Sequence, residues 1–200
     1  MNLPNKLSLL RMILVPVFMI VLALPASVMP LWLSAVLGAI IFIVASITDC
    51  LDGKIARKYH LITDFGKLID PLADKFMVIG ALIMILYRAV DYRALFVVAL
   101  TVVVFRELAV TAMRLITATK SGVAVPANML GKIKTVSQIV FVIAALIEPW
   151  LYAILPTHAV VEWLIAVRPL TLASAIVMTV FTVWSGANYI VALWMYIETK

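Results

Sequence analysis

Residues 49–74 read DCLDGKIARKYHLITDFGKLIDPLAD, a polar run set between two segments that are each long and apolar enough to cross a bilayer. Four of the chain's ten acidic residues stand in it: Asp49, Asp52, Asp70 and Asp74. Residues three or four apart share a face of a helix, so Asp49 and Asp52 point one way from the end of the preceding helix. Asp70 and Asp74 do the same at the start of the next. Two antiparallel helices joined by a short polar connection would bring the two pairs together. Gly53 and Gly66 have no side chains, and so permit close approach of backbone or ligand at the same level.

The rest of the chain is oily. Of 200 residues, 66% are hydrophobic and 13% charged, with a mean hydropathy of +1.17. A soluble domain carries roughly a quarter charged residues, so the composition indicates an integral membrane protein. A spanning helix needs ~20 mostly apolar residues, and segments near 8–28, 31–52, 68–88, 94–116, 135–155 and 170–195 qualify. The expectation is an all-α membrane protein, six transmembrane helices in one bundle forming a single domain over 1–200. The first apolar run, although followed by ALPASVMP, is expected to be a retained helix rather than a cleaved signal, because five more spans follow it.

Charge sets the expected orientation. Lys6 and Arg11 open the first span, Lys54, Arg57, Lys58 and Lys67 lie between spans two and three, and Arg114, Lys120, Lys132 and Lys134 between four and five. The other side has the uncharged turn from Pro25 to Pro30, then Arg88 and Arg93 around Asp91, and Arg168. Positive residues mark the cytoplasmic side, which puts both termini there. The net charge of +6 then faces anionic head groups and phosphorylated substrates. Trp32, Trp150, Trp163 and Trp194 sit near span ends as interfacial anchors. His60 and His158 read as solvated loop residues. The lone Cys50 has no partner for an internal disulfide and reads as a small packing residue.

Four clustered carboxylates repel one another and lose hydration. Each would cost ~2.5–3.5 kcal/mol at a helix centre on insertion scales, and four on the order of 10 kcal/mol. Position near the helix ends lowers that cost without removing the repulsion. One divalent cation, or two ~3.5–4 Å apart, would cancel the charge and account for the spacing. Oxygen ligands without histidine or cysteine favour Mg²⁺ or Mn²⁺. Simple pairing of the acids with Lys54, Arg57, Lys67 and Lys75 accounts for one acid near a span end, but poorly for four at helical spacing on consecutive helices. Asp64, in the connection before the third helix, reads as its N-cap.

The pattern D-x-x-D-G-x-x-A-R-x(8)-G-x-x-x-D-x-x-x-D is filled without departure by Asp49, Asp52, Gly53, Ala56, Arg57, Gly66, Asp70 and Asp74. It resembles the signature of the CDP-alcohol phosphatidyltransferases. The resemblance implies a six-helix bundle, divalent metals held by Asp49, Asp52 and Asp70, and Asp74 as general base and a further possible ligand. It also implies a CDP-linked lipid as donor, bound among Asn5, Thr48, Asp52, Gly53, Ala56, Arg57, Gly66 and Lys67, and a homodimer. Other roles stay open for several of these: cytoplasmic anchor for Arg57, a bond to its own backbone for Thr48, and helix cap for Asn5 with Arg11 as anchor.

The signature is common to enzymes using different alcohols, so the acceptor must be read elsewhere. Span four contains FRELAVTAMRL, with Arg106, Glu107 and Arg114, and GKIKTVSQ follows with Lys132 and Lys134. Arg106 and Arg114 fall within roughly 80° of each other around the helix. Glu107 points away from Arg106 and is expected to pair with another helix. Such cationic groups beside an acidic metal site suit an acceptor that itself carries phosphate, glycerol 3-phosphate or inositol phosphate rather than serine, choline or ethanolamine. Arg106, Arg114, Lys132 and Lys134 are the candidate phosphate ligands. The alternatives are positive-inside charges for the lysines and a structural ion pair for Arg106 with Glu107. These segments, with LPNKLSLLR, are similar to bacterial members of the family that use glycerol 3-phosphate.

The function expected is transfer of a phosphatidyl group from CDP-diacylglycerol to glycerol 3-phosphate, in a bacterial plasma membrane, with the site facing the cytoplasm. Its partners are those substrates and membrane lipids, with no nucleic acid. The rival from another class is an ion or metal transporter, since intramembrane acids also mark ion paths. That reading expects acids near mid-membrane and repeated halves, and the sequence has neither.

Overall fold

A computed structural model of the chain describes residues 2–59, 64–89, 91–121, 129–156 and 159–198. Side chains are described within them except at 52, 54, 56–58, 64, 65, 67, 68, 115, 117–121 and 193–198. The described residues form helices and turns: α1 (Leu3–Ala23), α2 (Leu31–Lys58), α3 (Asp64–Arg88), α4 (Arg93–Ser121), α5 (Met129–Ala153), α6 (Ala159–Val167) and α7 (Pro169–Glu198). His60, His158 and the side chains of Asp64 and Trp194 lie outside the described residues.

Helix α1 starts five residues before the expected span, because its signals are local. The Asn2 side chain accepts from the Asn5 amide at 3.3 Å, and Pro4 sits in the first turn, where no amide hydrogen is needed. The cap is therefore Asn2, and Asn5 is left buried inside the helix. Arg11, one expected anchor, is buried too, with no exposure at all. At the other end of α1 the chain turns at once, with Val28 and Met29 donating to the Pro25 carbonyl at 2.9 and 3.2 Å.

Helix α1 packs against both α2 and α3, while α7 packs against α4 and α5, and α5 joins the two groups by touching α2 and α3. Phe18 of α1 meets Phe42 of α2 with ring centroids 6.0 Å apart, and Phe96 of α4 meets Phe141 of α5 edge-on at 5.5 Å. Gly38 lets α1 and α2 approach: a Cβ there would lie 2.8 Å from Leu22 Cδ2. The outer surface stays apolar, with Ile20, Ile40, Val98, Phe105 and Val180 all exposed. A surface of this kind suits hydrocarbon rather than water.

Five segments among the described residues are long and apolar enough to cross a membrane: Leu3–Ala23, Leu31–Leu51, Arg93–Arg114, Met129–Ala153 and Ala159–Ala192. Helix α3 is not among them, because its first half carries Asp64, Lys67, Asp70, Asp74 and Lys75. The last segment is two helices. Arg168, at φ +49°, breaks it, so the short α6 precedes the final long helix. Pro169 follows directly and opens α7, the one local sign of a break, while hydropathy alone reads straight through it.

The end of the bundle where α3 finishes is organised around charge. Glu148 of α5, 1% exposed, accepts from the amides of Leu170 and Thr171 at 2.8 and 2.6 Å, from Thr171 Oγ1 at 2.6 Å and from Tyr152 at 3.0 Å. A carboxylate thereby caps the N-terminus of α7, satisfying amides that no helix satisfies itself. Arg88, closing α3, donates from Nε to the Leu22 carbonyl at 3.1 Å and from its terminal nitrogen to Ser34.

Candidate active site

The last turns of α2 and the first turns of α3 lie beside the start of α1. Asn5, Ser8 and Arg11 are three residues apart, one stripe of α1, and all three are buried. Arg11 Nη1 pairs with Asp49 Oδ1 at 2.7 Å. Ser8 Oγ donates to Asp70 and also reaches the Pro4 carbonyl at 3.1 Å. Asp74, one turn beyond Asp70, is half-buried. Among the described residues no group hydrogen-bonds to its carboxylate or pairs with it within 4 Å. Asp49, Lys134, Glu107 and Arg11 are all close enough to act on it electrostatically. Asp49 of α2 and Asp70 and Asp74 of α3 therefore gather beside the start of α1, which answers two of these acids with a hydroxyl and a guanidinium.

The donors gathered here are oxygens. Cys50 next door is exposed rather than packed, and histidine is absent from this set. Among the described residues no three acids, histidines or cysteines converge as a ready ion cage. The Asp52 side chain, which the helical spacing puts on the Asp49 face, lies outside the described residues. A hard divalent cation fits the donor chemistry and the uncompensated Asp74 carboxylate. Of the residues expected to touch a CDP-lipid, Ala56, Arg57 and Lys67 also have side chains outside the described residues. Gly66 is buried and Gly53 half-buried at the same end. Thr48 Oγ1 donates to the Ala45 carbonyl at 2.8 Å, the self-bonding role left open for it.

The basic group of α4 and α5 adjoins these acids. Glu107 receives both Arg106 Nη1, at 3.2 Å, and the buried Lys134. The expected partner on another helix is Lys134, and the neighbouring Arg106 reaches the same oxygen as well. Lys132 is exposed while Lys134 is buried, as two residues apart on a helix requires. The structure therefore brings Arg106, Arg114 and Lys134 to the group and leaves Lys132 on the outside.

Helix α7, whose sequence offers no polar signature, completes this group. Arg106 Nη2 donates to Ser185 Oγ at 2.6 Å and Arg114 Nη2 to the Tyr189 hydroxyl at 2.6 Å. The two guanidinium carbons lie 5.8 and 4.9 Å from the Tyr189 ring centroid, within cation–π range. Gly186 makes room between them, since a Cβ there would come 3.0 Å from Arg106 Cγ. Gln138, one turn beyond Lys134, is fully buried, and neither its amide oxygen nor its nitrogen has a hydrogen-bond partner among the described residues. A buried amide left this way is costly, which marks it as a position for a bound polar group. Ser8, Gln138, Ser185 and Tyr189 thus join the candidate residues. Ser8 and Gln138 had usable sequence signals, the three-residue spacing of Ser8 from Asn5 and Arg11 and the place of Gln138 one turn after Lys134 in GKIKTVSQ.

Comparison with known proteins gives the family. A family model described as CDP-alcohol phosphatidyltransferase matches residues 1–184. The chain is 39% identical over 212 aligned residues, covering 100% of it and 98% of the relative, to the CDP-diacylglycerol–glycerol-3-phosphate 3-phosphatidyltransferase of Bacillus subtilis (strain 168). It is 32% identical over 195 residues, 96% of the chain and 94% of the relative, to the protein of that name from Shigella flexneri serotype 5b. The Rickettsia bellii protein of that name is 39% identical over 137 residues, 68% of the chain and 70% of the relative. With the acidic signature on α2 and α3 and the family match running into α7, this chain belongs to the CDP-alcohol phosphatidyltransferase family.

Proposed function

We propose that the chain transfers the phosphatidyl group of CDP-diacylglycerol to glycerol 3-phosphate, releasing CMP and giving phosphatidylglycerophosphate. The observation that supports this is the nearness of an acidic cluster to a cationic one: Lys134 and Glu107, held with Arg106, lie within electrostatic reach of Asp74. A phosphate-bearing acceptor seated on Arg106, Arg114 and Lys134 would present its hydroxyl towards the carboxylates. Asp74, without a bond of its own among the described residues, takes the hydroxyl proton. The acceptor oxygen then forms a bond to the phosphorus next to the diacylglycerol, and the bond from that phosphorus to the CMP oxygen breaks. Gln138 and Tyr189 are suited to bond the acceptor's remaining oxygens.

Asp49, Asp52, Asp70 and Asp74 would hold two divalent cations, Mg²⁺ or Mn²⁺, whose chemistry when bound is to offset charge on the pyrophosphate and the departing CMP. Arg11 and Ser8 hold Asp49 and Asp70 in place from α1. The donor nucleotide lies against Gly53, Ala56 and Gly66, with Asn5, Thr48, Arg57 and Lys67 about it. The chain is one domain with six spans, α3 crossing despite its polar first turns. Both termini and the acidic end face the cytoplasm of a bacterial cell, and the working form is a homodimer. The positive-inside distribution supports the orientation.

Purified protein given CDP-diacylglycerol and each acceptor in turn tests the proposal. CMP release with glycerol 3-phosphate is expected. Release with inositol phosphate or serine, and none with glycerol 3-phosphate, would overturn the choice of acceptor.

A further inference from the structure

A cavity of about 400 Å³ opens at the end of the bundle away from the acidic cluster, between the starts of α2, α4 and α7 and the ends of α3, α5 and α6. Its size falls within the roughly 300–1,000 Å³ of small-molecule sites. Arg88 on its wall stands fourteen positions beyond Asp74 along α3, about 21 Å of helix, so the catalytic groups take no part in it. The lining is mainly apolar, with Ile85, Phe96, Leu146 and Trp150 among its walls, and two cations, Arg88 and Arg168, stand in it.

Neither arginine has a carboxylate within 4 Å among the described residues. Glu148, the buried acid nearby in sequence to the cavity wall, is already engaged by four hydrogen bonds at the start of α7. Asp91 and Glu162, the other acids of this end, are exposed. Arg88 is fixed by Leu22 and Ser34, whereas the Nε of Arg168 is buried without a partner. Arg168 also adopts φ +49° as its amide donates to Leu164 to close α6. Glycine is the residue that takes such a cap without strain. A chain that keeps arginine there keeps a guanidinium in the cavity despite that strain, and strain of this kind gathers at binding sites.

We propose that this cavity is a second lipid site, holding one anionic phospholipid with its phosphate between Arg88 and Arg168 and an acyl chain along the apolar wall. The charge selects an anion. The apolar lining and the position at the ends of spanning helices select a lipid over free phosphate. This inference rests on the membrane-spanning reading and not on the identity of the acceptor.

The test is photolabelling of the full-length protein in phosphatidylcholine nanodiscs, mapped peptide by peptide so that label at the acidic end is told apart from label in this cavity. The probe is phosphatidylglycerol carrying an acyl-chain diazirine. Label is expected on the peptide spanning residues 145–153, and R168G should lower it at least tenfold. Because glycine suits the backbone at that position, R168G should unfold in lipid-free detergent at or above the wild-type temperature, which separates loss of the site from loss of the fold. Equal labelling of R168G, equal labelling by a diazirine phosphatidylcholine, or removal of the label by millimolar inorganic phosphate would each overturn the proposal. Failure of CMP release with glycerol 3-phosphate would leave this labelling pattern unchanged.

Discussion

Two carboxylates on neighbouring helices, Glu148 and Asp74, are treated in opposite ways by the fold. Glu148 is buried and receives four hydrogen bonds, two of them from the amides that open α7. Its charge is used up in holding a helix end. Asp74 is half-buried, faces another carboxylate at Asp49, and has no hydrogen bond among the described residues. A protein that can satisfy a buried acid so fully at one end leaves one unsatisfied at the other, where the sequence signature falls. The difference separates an acid that builds the structure from one kept for chemistry.

The contrast can be broken most severely at Asp74. D74N keeps the shape and removes the base, so CMP release should fall about 10²–10⁴-fold, the usual worth of a positioned base. CDP-lipid binding, followed by retention of radiolabelled donor, should stay measurable. Transfer near the wild-type rate would remove Asp74 from the role of base. E148A should do the reverse: loss of charge-assisted bonds to α7 should cost about 2–3 kcal/mol of stability, read as a lower unfolding temperature, with KM for both substrates little changed in protein that remains folded. A raised KM with undiminished stability would show that Glu148 belongs to the site after all.

Smaller effects sharpen where the cationic group ends. Y189F removes one hydrogen bond to Arg114, worth about 1 kcal/mol. The KM for glycerol 3-phosphate should then rise roughly fivefold, while that for CDP-diacylglycerol stays put. K132Q should change neither by more than about twofold, since Lys132 is exposed and a surface charge contributes little. An effect of K132Q equal to that of K134Q in the same acceptor titration would return Lys132 to the acceptor site.

What could be read in the sequence follows the same division. The acids of α2 and α3 were legible because polar residues at helical spacing stand out against apolar spans, and a hairpin leaves few ways to arrange them. The basic residues of α4 and α5 were legible as charges, but which lysine turns inward was not, because charge alone does not give rotation about the helix axis. Ser185 and Tyr189 were hidden for a related reason: an apolar span tolerates an occasional hydroxyl on any face, and only packing of α7 against α4 shows which one meets an arginine. Arg11 looked like a membrane anchor from its place at a span start, yet lies buried against Asp49. The break at Arg168 does not show in hydropathy, since the residues on both sides are apolar, and its local mark is Pro169, which cannot continue the preceding helix.

The most direct test of the division between the two ends is a Mn²⁺ titration followed by electron paramagnetic resonance, on wild-type protein, D70N and E148Q. Wild type should hold Mn²⁺ in the micromolar to millimolar range, D70N should bind at least tenfold more weakly, and E148Q should match wild type. Mn²⁺ binding that survives D70N unchanged, or that is lost in E148Q, would contradict the assignment of the acidic cluster on α2 and α3 as the metal-holding catalytic centre.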